Sequence, residues 1–198
     1  YGGTKIAAGT FKASLGNAVG AMGATIEVDA GATFDINGTT DHRQYDEMIL
    51  AGGNLGNWGG NVAEGYGCNG RTRLTADSTL TVVGDLGFWG LVDLGGHTLT
   101  AMIDPARSLY LRGPVKNGTI VTQGGRFWPN GGDWDMADVD LVLNSKMSCA
   151  DQTVTFRNLT MTYTGDGFGH GGNFFCVRGT YTPVSDQIWR FKLLDGAT

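Results

Sequence analysis

Four aspartates crowd into the stretch "GGDWDMADVDL": Asp133, Asp135, Asp138 and Asp140. Carboxylates at that density supply two kinds of chemistry. They offer hard oxygen ligands to Ca²⁺, with Asp133 and Asp135 as the candidate metal ligands. Two of them at the right separation also make the carboxylate pair of a glycoside hydrolase. The order differs from a D-x-D-x-D-G calcium loop, and the stretch holds no Lys or Arg to act as the base of a polysaccharide lyase. Acidic turn residues that discourage sheet-to-sheet association explain the cluster equally well.

Aromatic residues offer a different chemistry. Trp58 in "LGNWGGN", Trp89 in "LGFWGL", and Trp128 and Trp134 in "GRFWPNGGDWD" all stand near glycine, which predicts loops or corners rather than strand interiors. A ring held on an exposed loop presents an amphipathic stacking surface of the kind that binds sugars. Trp89, Trp128 and Trp134 are therefore candidates for glycan binding. Packing of the same rings against a neighbouring loop is the alternative.

The remaining polar candidates point to structure. In "DLGGHTLT" the two glycines before His97 permit the positive φ of a tight corner, and His97 opens the next strand as a turn residue. Neither His42 nor His170 stands at a spacing that pairs it with His97 on a metal. Cys68, Cys149 and Cys176 include no C-x-x-C pair, and their odd number leaves at least one thiol without an intrachain partner. If Cys149 and Cys176 lie one structural repeat apart and stack, their Cα atoms would sit about 4.8 Å apart, a separation a disulfide accepts. Buried free thiols are the alternative. The sequons at Asn37, Asn117 and Asn158 double as turn positions, because Asn tolerates left-handed φ. No G-x-S-x-G elbow is present, and no glycine run precedes a helix that would hold a phosphate.

The elements that must carry these residues are short strands. "TIEV", "TFDI", "MIL", "TLTVV", "LVDL", "TLTAMI", "SLYL", "GTIVT", "DVDLVL", "TVTF", "LTMTY", "NFFCV" and "IWRFKLL" follow one another, most ending at Gly, Asn-Gly or Asp-Gly. That pattern predicts an all-β chain, with no 3.6-residue apolar stripe long enough for a helix. The composition agrees: 34 glycines, 4 prolines, 41% apolar and 17% charged residues describe many strands joined by glycine turns, neither disordered nor collagenous. A formal net charge of −5 without a basic cluster argues against a nucleic-acid partner. No apolar run approaches the length of a membrane-spanning helix.

Loose self-similarity relates "GATIEVDAGATFDINGTT", "DSTLTVVGDLGFWGLVDLGGHTLT" and "RSLYLRGPVKNGTIVTQGG", at a period of about 20 to 30 residues expected of a parallel β-solenoid. At a rise of about 4.8 Å per coil, roughly seven or eight coils would make a rod of roughly 35 Å. "VDAGATFDINGTT", "MILAGG", "DLGGHTLT" and "GTIVTQGG", within residues 23 to 125, resemble the right-handed β-helix repeats of bacterial autotransporter passengers and autotransporter-associated β-strand repeat proteins. The resemblance weakens after residue 125 and returns faintly at "FKLLDGAT". It implies a right-handed parallel β-helix from a secreted or surface-displayed bacterial protein. Residues 1–198 read as a single solenoid segment of something longer and repetitive. The expected role is a structural and adhesive rod, able to associate end to end, rather than an enzyme. The alternative is a carbohydrate-active β-helix that binds extracellular glycans or cleaves them, with Ca²⁺ as the one cofactor the aspartates suggest.

Overall fold

The computed structural model describes residues 3–13, 23–38, 45–59, 68–129, 134–147, 153–161, 174–177, 181–183 and 191–193. The side chains of Trp134, Asp135, Ala137, Thr153 and every residue from Phe174 onward lie outside that description. The first turn of chain holds β1 (Thr4–Ile6) and β2 (Gly9–Lys12), the second β3 (Ala24–Asp29) and β4 (Ala32–Asp35), and the third β5 (Tyr45–Ala51) and β6 (Asn54–Asn57). The fourth carries β7 (Arg71–Ala76), β8 (Ser78–Val82) and β9 (Leu86–Phe88). The fifth holds β10 (Val92–Asp93) and the long β11 (Thr98–Leu111), and the sixth β12 (Val115–Lys116) and β13 (Gly118–Pro129). Beyond them run β14 (Trp134–Met147), β15 (Thr153–Met161), β16 (Phe174–Val177), β17 (Tyr181–Pro183) and β18 (Phe191–Leu193).

Each strand pairs with its counterpart one turn away rather than with its neighbour in sequence. The smaller sheet runs β1-β3-β5-β7-β10-β12, and the larger runs from β2 through β4, β6, β8, β11, β13, β14, β15 and β16 to β18. All of these strand pairs are parallel, for example Ile26 on Met48 and Leu80 on Ala101. The protein is an all-β parallel β-solenoid, as its repeats predict. Among the described residues, about six turns contribute strands to both sheets, and the later rungs extend the larger sheet.

Period-two alternation fills the interior. In β3 "ATIEVD" buries Ala24, Ile26 and Val28 and leaves the residues between them half-buried. Stacking turns these positions into columns. Ile26, Met48, Thr72, Val92 and Val115 form one in register, and Phe34, Leu55, Leu80, Ala101, Thr122 and Leu143 form another. All of them are buried. Parallel rungs supply one another's hydrogen bonds, so the backbone is satisfied by the next coil.

Two features shape the cross-section. β11 and β13 bend in mid-strand, with register shifts between Ile103 and Ser108 and between Gly124 and Arg126, where Gly124 takes a φ of 87°. "TLTAMI" and "SLYL", expected as two strands, are therefore one bent strand. The second halves of β11 and β13, with β9 and the end of β14, make a third face whose inner column is Leu86, Leu109, Phe127 and Met147. The chain returns to the smaller sheet through stacked glycines. A Cβ on Gly90 would collide with the Gly70 carbonyl, and one on Gly113 with the Gly90 carbonyl.

Gly90→Ala is therefore expected to cost about 1–3 kcal/mol, because backbone must move to admit the methyl group. Thr100→Ala, on the half-buried outer side of β11, is expected to stay within about 0.5 kcal/mol. Chemical denaturation of both variants checks the contrast, and equal stabilities would contradict the close stacking of this corner.

Candidate functional site

The third face gathers aromatic and basic side chains on its solvent side. Alternation turns Tyr110, Trp128, Arg126 and Lys146 away from the inner column, with Trp89 and Arg112 just beyond the ends of β9 and β11; Tyr110 is buried beneath its neighbours and the other five are half-buried. Tyr110 is in register with Trp128, and their ring centroids lie 5.4 Å apart at 31°. The Arg112 guanidinium carbon sits 4.5 Å from the centre of the Trp89 ring, and that of Arg126 5.3 Å from the centre of Trp128. Arg126 is in register with Lys146 on the following rung. The nearby carboxylates cap backbone: Asp85 accepts from the Ser108 N–H at 2.8 Å and Asp104 from the Ala106 N–H at 2.9 Å. Beside them, at the bend, Val83, Met102, Ile103 and Gly124 line a shallow apolar cleft of about 320 Å³.

The structure thus brings Trp89 and Trp128 to one face. Trp128 lies inside β13 and Trp134 opens β14, whereas both were expected in loops or corners. Gly124 and Gly125 bend the strand instead of ending it, so their neighbour Trp128 keeps its place in the ladder. Whether Trp134 joins the other two lies outside the described residues. Trp58 belongs elsewhere: its ring packs over Gly56 on the larger sheet, and its backbone N–H donates to the Asp35 carboxylate at 3.0 Å.

The aspartate stretch divides. Asp133 lies outside the described residues, as does the Asp135 side chain. Asp140 accepts both arms of the Arg157 guanidinium, at 2.8 and 2.6 Å, and the Asn158 amide at 2.7 Å. The Arg157 hydrogen bond is the main reason its carboxyl is held below the usual carboxylate range. Among the described residues, no three His, Cys, Asp or Glu side chains converge on a point that could hold a metal.

His97 sits at the corner between the two sheets. Its N–H donates to the Leu94 carbonyl at 2.8 Å, and its carbonyl accepts from Thr119 on the next coil at 3.1 Å. Its Nδ1 is 3.8 Å from Asp77, and neither His42 nor His170 is among the described residues. Asn117, with φ of 64°, occupies the equivalent corner one turn on, and Asn37, with φ of 51°, occupies a turn as expected. Asn158 departs from that reading, because it lies in β15 and bonds Asp140 from within the ladder.

A second polar surface lies on the smaller sheet, where oppositely charged residues of successive coils pair. Lys5 pairs with Glu27 and Asp29 at 3.0 Å, Arg73 with Glu47 at 3.1 Å, and Asp93 with Arg71 at 3.0 Å and Lys116 at 3.2 Å. Partial burial pushes the Asp93 carboxyl up, but Lys116, the Gly95 N–H and Arg71 together outweigh it and leave it lowered. Inside the same end of the coil, Tyr45, Cys68 and Thr72 form a small buried polar group. The Tyr45 hydroxyl and Thr72 Oγ1 make no well-formed hydrogen bond, although the Cys68 thiol lies against the phenol. Burial pushes the Cys68 thiol up to about 12. Cys149 lies outside the described residues; the backbone of Cys176 pairs in register with Thr155 and Lys192.

Comparison with protein-family models, curated proteins and solved structures yields no match. The site rests on its own geometry. Sequence reasoning picked out Trp89 and Trp128 but missed Tyr110, Arg112, Arg126 and Lys146. The available signal was the two-residue alternation in "SLYLR" and "RFW", which places Y and R, and R and W, on one side of a strand.

Two outcomes follow from these environments. Because the Asp93 carboxyl is lowered on folding, its stabilisation is present above the unfolded value near ~3.9 and is lost as pH falls through the lower folded value. Asp93→Asn is expected to lose about 1–3 kcal/mol at neutral pH and to show a shallower acid limb in unfolding titrations. At pH 8 the buried, protonated Cys68 thiol should resist alkylation in the native protein and react after denaturation, as read by peptide mapping of the Cys68 segment.

Proposed function

We propose that this chain is a structural and adhesive rod segment of a secreted or surface-displayed bacterial protein. The observation that carries this reading is the unbroken parallel stack of the larger sheet from β2 to β18, in which each coil templates the next. Such a stack extends along one axis and keeps every outer face in a fixed line, so contacts can be repeated along a surface. The paired charges on the smaller sheet fit an outer wall exposed to water, since their attraction is modest and needs no partner.

A second reading is favoured by one specific observation. Trp89 and Trp128 share a face with Tyr110, so the rod's contact surface would be a glycan-binding strip. Asp85 and Asp104, which lie in this region, each accept a backbone N–H.

Cells displaying the chain on their surface are expected to attach to polysaccharide-coated or matrix-coated plates several-fold better than cells displaying an unrelated folded domain at equal density. Equal attachment on every coating would contradict the adhesive role.

A further inference from the structure

The two sheets turn different chemistry to solvent. The smaller sheet carries ion pairs on its outer side, such as Lys5 with Glu27 and Arg73 with Glu47. The larger sheet carries an uncharged column there. It runs in register through Thr33, Asn54, Thr79, Thr100, Val121 and Val142, all half-buried, and Thr160 continues it on β15. A second column, two residues upstream, holds Thr98 and Thr119 before it reaches Asp140, which is paired with Arg157. Thr81 stands on the other flank, two residues beyond Thr79 in β8.

These side chains sit at fixed positions. Thr and Val branch at Cβ, which restricts χ1, so the ladder that places their backbone also limits where each methyl and hydroxyl lies. The Thr81 hydroxyl donates to Asn54 at 3.1 Å and joins neighbouring columns. The fold sets the spacing: rungs stand about 4.8 Å apart along the rod, and alternate residues about 6.6 Å apart along a strand. Water in ice is tetrahedrally bonded, and with an O···O distance of about 2.75 Å its equivalent oxygens recur about every 4.5 Å along one axis and about every 7.3 Å across it. The two nets agree to within about a tenth in each direction. Across β8, β11 and β13 the mismatch along the rod adds up to only about 0.6 Å, small against a hydrogen-bond length. The smaller sheet has the same rung spacing, but its outer side chains are long and strongly hydrated.

We propose that the outer face of the larger sheet, centred on β8, β11 and β13, binds ice. The Thr hydroxyls take oxygen positions of the ice net, and the Thr and Val methyl groups order the water between them. Each contact is weak, and a rigid row of them acts together. This surface is separate from the third face and does not depend on the glycan-binding reading.

Uptake of the fluorescently labelled full chain into an ice hemisphere grown slowly from dilute solution tests this. The chain is expected to enter the ice severalfold more than an unrelated soluble protein of similar size. Thr100→Tyr, which raises a ring in the middle of the column, is expected to bring uptake down to that control. Thr25→Tyr, the same change at a half-buried outward position of the smaller sheet, is expected to leave uptake intact. Thr100→Ala is expected to reduce uptake with unchanged melting, which separates loss of binding from loss of fold. Wild-type uptake equal to the unrelated protein overturns ice binding. Equal uptake by the wild type and both Thr100 variants, or loss in Thr25→Tyr alone, overturns the assignment to the larger sheet.

Discussion

Parallel in-register stacking is the constraint on which the rest of this protein depends. Each coil satisfies the backbone donors and acceptors of the coil before it, so every coil must repeat nearly the same cross-section. A side chain that points inward in one turn points inward in the next, which makes the core a set of columns. Phe34, Leu55, Leu80, Ala101, Thr122 and Leu143 lie in one line although their volumes differ. The buried hydrogen bond between Thr122 and Ser145, at 2.7 Å, shows one way polar atoms enter such a core, as a pair on adjacent rungs.

The same constraint explains the corners. Where the chain turns from the third face to the smaller sheet, successive backbones approach too closely for a Cβ, and Gly70, Gly90 and Gly113 stack there. At the corner between the two sheets, Gly95, Gly96 and then Asn117 take positive φ, while Asp93 accepts the Gly95 N–H at 3.2 Å. His97 follows this corner and takes its place from the turn.

On the outside, stacking converts single residues into surfaces. Charged residues on successive coils become a line of ion pairs on the smaller sheet. Aromatic and basic residues on successive coils gather on the third face. A solenoid needs no pocket to present a binding surface, because repetition along the axis supplies the extent that concavity supplies in other folds. The third face is where aromatic rings and guanidinium groups meet, with Arg112 over Trp89 and Arg126 over Trp128.

Much of this architecture was legible in the residues themselves. Short strands with period-two burial, glycine and Asn-Gly turns and a loose repeat are local features, and each follows from backbone preferences that neighbours in sequence express. The corner role of "DLGGHTLT" belongs to the same class, since glycine supplies positive φ wherever it stands. The grouping of Trp89 with Tyr110, Arg112, Arg126, Trp128 and Lys146 was decided only by the tertiary structure. Their spacing varies from coil to coil, and the bends at Ile103–Ser108 and Gly124–Arg126 rotate the second half of each long strand onto a new face. Glycines that look like strand ends act as bends, because the next coil's hydrogen bonds hold the strand together across them. Register between coils is a long-range property, and a side chain's neighbours along the rod depend on it.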